Sequence, residues 1–152
     1  MLDLVFGLNE LESVGQALLE DAAIRRGGLK PVVVALLGEM GAGKTTLFRA
    51  MGLGLNCDPL PTSPTYALMQ EYRTPNGGLL LHADLYRLGH PEEWLTLDPD
   101  NAIQEADWVW LEWPENAGPW LPEHTLYYRL ESLQDGAARR LYAVDTPNLL
   151  FT

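Results

Sequence analysis

Runs of apolar residues, and the turns between them, set out the chain's elements before any motif is considered. Val32 to Leu37 (VVVALL) is an unbroken β-branched and aliphatic run introduced by Pro31, the pattern of a central strand covered on both faces. Leu79 to Ala83 (LLLHA) and Trp108 to Glu112 (WVWLE) are further apolar strands, and residues 2–6 (LDLVF) predict a short one. Tyr66 to Tyr72 reads as a strand separated from Leu79 by the turn Pro75-Asn76-Gly77-Gly78. Thr125 to Leu133 and Arg140 to Asp145 alternate and meet at Asp135-Gly136, which predicts a hairpin. Helical spacing appears at Leu11, Val14, Leu18 and Leu19, after an expected capping box of Asn9 and Glu12, and should stop near Gly27-Gly28. Thr45 to Leu53, a start at Pro91-Glu92-Glu93 and Asn101 to Ala106 complete the helices. With no repeat, low-complexity tract or linker, the expectation is one domain over residues 1–152. Its fold class is α/β, with a mostly parallel central sheet flanked by helices and an antiparallel C-terminal edge hairpin.

Composition narrows the setting. The chain has 152 residues, 47% of them hydrophobic, enough to bury about two thirds of the surface its unfolded form exposes. No apolar stretch reaches the roughly 18–20 residues that span a bilayer. The N-terminus (MLDLVFGLNELE) lacks a basic segment and turns acidic at once, unlike a signal peptide. The single cysteine, Cys57, cannot form an internal disulfide. A cytoplasmic protein without membrane attachment is expected. The net charge of −11 opposes a polyanion, because tight nucleic-acid binding draws on lysine and arginine to neutralise phosphates. No tight direct contact with nucleic acid is expected from this chain alone.

The chemistry centres on Gly38-Glu39-Met40-Gly41-Ala42-Gly43-Lys44-Thr45, a complete G-x-x-x-x-G-K-[ST] between a strand and a helix. Glycines let backbone N–H groups curl around phosphate oxygens, and the helix N-terminus adds its dipole. The sequence therefore predicts a nucleotide cradle over Glu39, Met40, Gly41, Ala42, Gly43, Lys44, Thr45 and Thr46. Lys44 would supply charge to the β- and γ-phosphates, and the Thr45 hydroxyl would ligate Mg2+. Such a loop needs a carboxylate at the end of a neighbouring strand. Asp84 and Glu112 both end apolar runs, and pattern alone does not rank them. Ser63-Pro64-Thr65, between the P-loop helix and a strand, reads as a stiffened turn or as a loop sensing the γ-phosphate. His82 reads as a satisfied strand histidine, and Tyr86 and Arg87 as loop residues.

Taken together and in order, GEMGAGKTTL, TSPTYALMQEY, HADLYRL and LEWPENAG resemble the signature of the TsaE family, across roughly residues 32–118. A P-loop alone is widely shared; HADLYR followed by the EWP block is far more specific. The resemblance implies a P-loop ATPase of bacterial threonylcarbamoyladenosine (t6A) biosynthesis at adenosine 37 of tRNA, using ATP and Mg2+. It implies Thr45 and Glu112 as magnesium ligands, and Asp84 acting on the attacking water beside Lys44. Thr65 would lie in a switch-like loop near the γ-phosphate and Trp113 beside the nucleotide. The implied partners are TsaB and TsaD, whose complex the family resets through ATP turnover. Tyr66 and Met40 depart conservatively from common family residues, and after residue 120 only alternating strands and a Gly136, Arg139, Arg140 element match.

The alternative is a small-molecule or nucleotide kinase on the same scaffold. Such kinases use an arginine-rich lid, whereas Leu88 to Tyr128 holds no lysine or arginine. A GTP switch would need a lysine-containing guanine-reading element, and the only lysines, Lys30 and Lys44, lie in no such pattern. A nucleotide-binding module without turnover also remains open. The same acidic stretch carries all five tryptophans. Trp108 and Trp110 alternate on a strand as core residues do, while Trp94 and Trp120 sit among prolines and acids and are candidate anchors for a basic partner.

Overall fold

The computed structural model describes residues 1–57 and 68–145. Among these residues seven strands form one sheet: β1 (Asp3–Phe6), β2 (Val32–Leu37), β3 (Met69–Arg73), β4 (Leu79–Asp84), β5 (Trp108–Glu112), β6 (Leu126–Leu133) and β7 (Ala138–Val144). Their order is β1-β7-β6-β2-β5-β4-β3. β6, β2, β5 and β4 run parallel. β3 is antiparallel at one margin; at the other, β7 returns from β6 and β1 pairs antiparallel outside it. The expected hairpin thus closes that side of the parallel centre, with β1 as the outermost strand.

The uninterrupted apolar run of β2 is explained by its position: every residue of it is buried. Val32, Val34 and Leu36 join a core with Val14, Leu18 and Leu19 of α1 (Leu11–Arg25) and with Leu47, Phe48 and Met51 of α2 (Lys44–Gly54). Val33, Ala35 and Leu37 face a second core with Trp94 of α3 (Glu92–Leu95) and Ile103 of α4 (Pro99–Glu105). Alternate side chains of a strand point to opposite faces, so two helix layers require both sets to be apolar. After α1, Gly27 and Gly28 carry the chain through left-handed turns, where the sequence placed the stop.

Two expectations are corrected. Asn9 does not cap α1. A short 310 turn, Leu8–Glu10, comes first, and the Gly7 N–H donates to Glu10 Oε1 at 3.0 Å. The chain turns two residues earlier, so Glu10 rather than Glu12 meets a backbone N–H, that of Gly7. Trp94 is not a surface anchor. It is fully buried, because α3 is a single turn whose inward position drops the indole into the second core. Trp120 is 46% exposed. The predicted Tyr66–Tyr72 strand is seen as β3 from Met69 onward; Tyr66 lies outside the described residues.

Candidate functional site

In a parallel sheet the strand carboxyl ends converge on one rim, and here that rim collects the polar chemistry. Leu37 ends β2 and leads into the glycine loop. Glu112 ends β5, the immediate neighbour of β2, in register with Leu36. Asp84 ends β4, one strand further out, in register with Glu112. Topology therefore ranks the two acids that pattern left equal: Glu112 is adjacent to the P-loop strand and Asp84 is removed by one.

The loop itself is shaped by close approaches. A Cβ on Gly38 would lie 2.7 Å from the Leu130 carbonyl oxygen of β6, so only glycine lets the loop leave the sheet there. Gly43, at φ 103°, is the cap residue of α2 and offers no side-chain bond to the helix. The first-turn N–H groups are thereby left for an anion, which a left-handed residue bearing a side chain would obstruct. Arg139 of β7 braces the loop from outside, its Nε donating to the Ala42 carbonyl at 2.8 Å and its Nη1 to Gly136 at 2.8 Å.

Lys44 is buried inside this cradle. Its Nζ donates to the Gly38 carbonyl at 2.7 Å and sits 3.7 Å from the centre of the Trp113 ring. Burial pulls the Lys44 pKa below its ordinary value, opposed by the negative charges of Glu112, Glu115 and Asp84. Trp113 reaches this position in a left-handed conformation (φ 56°) directly after β5, and packs 5.1 Å from the Tyr86 ring. Glu112 is almost fully buried, with Oε2 2.8 Å from His82 Nε2. Asp84 Oδ1 accepts the Tyr86 N–H at 3.1 Å.

Among the described residues, hollows flank the loop on more than one side. One, of about 410 Å³, is lined by Met40, Gly41, Gly43, Lys44, Thr45, Thr46, Asp84, Tyr86, Glu112 and Trp113. Another, of about 420 Å³, lies between Gly38–Ala42 and Arg129, Leu130, Glu131 and Ser132 of β6. The first brings together the oxygen donors of Thr45, Asp84 and Glu112, a set suited to a small hard dication. Among the described residues no group of three or more His, Cys, Asp or Glu is placed to hold a metal. A cation there would need the Thr45 hydroxyl, water and ligand oxygens alongside the carboxylates.

Sequence comparison decides the family. The family model described as "Threonylcarbamoyl adenosine biosynthesis protein TsaE" matches residues 7–141. The chain belongs to the TsaE family. A Haemophilus influenzae protein named tRNA threonylcarbamoyladenosine biosynthesis protein TsaE is 35% identical over 120 residues, covering 79% of this chain and 74% of that protein. A Rickettsia typhi protein of the same name is 34% identical over 127 residues, covering 81% and 84%. The crystal structure of Bacillus subtilis YdiB superposes with a TM-score of 0.64 at 22% identity, covering 98% of this chain and 89% of that one, and shares the fold.

Within this TsaE chain, Glu39, Met40, Gly41, Ala42, Gly43, Lys44, Thr45 and Thr46 lie where the motif put them, along the loop and first turn of α2. Trp113, Asp84 and Glu112 join Lys44 and Thr45 around one hollow. Thr65, with Ser63 and Pro64, lies outside the described residues. Other residues near the loop were not foreseen. Glu115 acts on Lys44 through its charge, His82 holds Glu112, and Arg129 lines the β6-side hollow. The EWPE run held a signal for Glu115, since the chain turns sharply after the strand-end acid. Nothing local marked Arg129, because the pairing of β6 with β2 is a long-range fact. No helix among the described residues is long and apolar enough to cross a membrane.

Proposed function

We propose that this protein is a magnesium-dependent ATPase of tRNA t6A biosynthesis that works in the cytoplasm on a complex of TsaB and TsaD. The observation that carries the reading is the convergence of Lys44, Thr45, Asp84 and Glu112 on one hollow at the P-loop, in a chain of this family. The relatives' names place them in that biosynthesis.

The residues divide the work by position. The free N–H groups at the start of α2 and the Lys44 ammonium receive the β- and γ-phosphates, Lys44 exchanging its Gly38 carbonyl for phosphate oxygens. Thr45 and Glu112 would hold Mg2+, which would supply charge neutralisation at the phosphate oxygens. Asp84, one strand further out, orients the attacking water. Trp113 and Tyr86 wall one side of the hollow. The β6-side hollow, within the size range of small-molecule sites, receives the nucleoside. With a net charge of −11, the chain reaches tRNA through its partners.

Phosphate release by the purified chain, with and without TsaB and TsaD, tests the proposal. ATP turnover is expected, rising when both partners are present. Transfer of the γ-phosphate to a small acceptor instead, or no turnover under either condition, would overturn it.

A further inference from the structure

His82 occupies a place where stability alone would favour a hydrocarbon. It is fully buried on β4, its ring centre 4.0 Å from that of Phe48, which also packs on Trp110 at 5.5 Å and Tyr72 at 6.0 Å. Its Nδ1 is buried and has no hydrogen-bond partner among the described residues. Leaving a buried polar atom unsatisfied is destabilising, a penalty that leucine would avoid. What the imidazole adds is on its other side, where Nε2 lies 2.8 Å from Glu112 Oε2. A carboxylate can only accept, so Nε2–H donates.

That bond reaches across adjacent strands. It pins one carboxylate oxygen and so stops rotation of the carboxyl group, while the other oxygen makes no further hydrogen bond among the described residues. Phe48 belongs to α2, the helix that starts at Lys44 and carries Thr45. The tilted His82–Phe48 ring contact thus ties the orientation of the Glu112 carboxylate to the helix bearing the Thr45 hydroxyl. We infer that His82 is a positioning residue for the metal: it fixes Glu112 so that its other carboxylate oxygen and Thr45 meet one cation. The inference rests on the reading of Glu112 as a magnesium ligand.

Calorimetric titration with ADP, in Mg2+ and in EDTA, separates the two ideas. The readout is the gain in ADP affinity that Mg2+ produces. Removal of a group that orients a metal ligand typically costs 10–100-fold in metal affinity. For His82→Leu we expect that gain to shrink about 10-fold or more, with ADP affinity in EDTA within about 2-fold of wild type. His82→Gln, which restores a donor of similar reach, should recover most of it. A His82→Leu variant that keeps the full gain, or loses affinity equally with and without Mg2+, would overturn the positioning role. A gain absent from the wild type, or retained in Glu112→Gln, would overturn the metal-ligand reading and this inference with it. Should His82→Leu not fold, the wild-type imidazole decides by NMR. Its Nε2–H signal should move when Mg2+ is added to the ADP complex, and an unmoved signal would overturn the inference.

Discussion

Adding one methyl group in Gly38→Ala should test whether the loop's departure from the sheet is set by strand spacing. The added Cβ would lie 2.7 Å from the Leu130 carbonyl oxygen, at least a few tenths of an ångström closer than such atoms tolerate. Leu130 cannot swing aside: β6 is paired with β2 on one side and β7 on the other, Leu130 facing Leu141. Overpacking of this kind costs about 1–3 kcal/mol. The φ of 157°, rarely adopted by residues with a side chain, adds about 1–3 kcal/mol. Alanine also restricts the unfolded chain, which returns about 0.4–1 kcal/mol. The net loss is about 3 kcal/mol, or a fall in Tm of about 6–12 °C for a domain of this size. Gly27→Ala is the comparison. Gly27 has φ 70° but nothing within 4 Å of the added Cβ, so it should lose only about 1 kcal/mol, or about 2–4 °C. Thermal unfolding followed by circular dichroism reads both variants. Equal losses in the two would refute the argument from close approach and leave backbone conformation as the whole cause.

Lys44→Met should lower ATP affinity by about 10- to 100-fold in calorimetry, the scale of charge-assisted hydrogen bonds worth about 1.5–3 kcal/mol. Because burial lowers the Lys44 pKa in the folded state, the unfolded chain holds the extra proton between that value and the ordinary one of 10.5. Lysine's contribution to stability should therefore rise with pH across that window, and denaturant titrations of Lys44→Met should lack the rise. Glu112→Gln should weaken magnesium-dependent ATP binding, whereas Asp84→Asn should spare binding and reduce turnover; matching defects in binding and rate would show that the division by strand is wrong. Trp94→Ala should cost about 3–5 kcal/mol in chemical unfolding, as loss of a buried aromatic does, while Trp120→Ala should stay within about 0.5 kcal/mol.

Local chemistry was enough to read the elements and the loop. VVVALL read as a doubly covered strand, and the G-x-x-x-x-G-K-T after it as a loop opening a helix, because both depend on neighbours along the chain. Asp84 and Glu112 were legible as strand-end acids for the same reason. Which of them lies beside the loop's strand was not legible from pattern, since it depends on which strand lies against β2, and that follows from packing between distant segments. His82 shows the same limit: in sequence it is one polar residue in an apolar run, and its partner lies 30 positions away. Trp94 was misplaced because its flanking prolines and acids describe the outside of a one-turn helix, while the core it enters is built by β2, β4, β5 and α4. The burial of Lys44 under Trp113 belongs here too, for it needs the left-handed turn after β5 to fold the indole back over the loop. Periodicity and motif are set by contacts a few residues apart, but the orientation of a charged group in the site is set by what the sheet brings beside it.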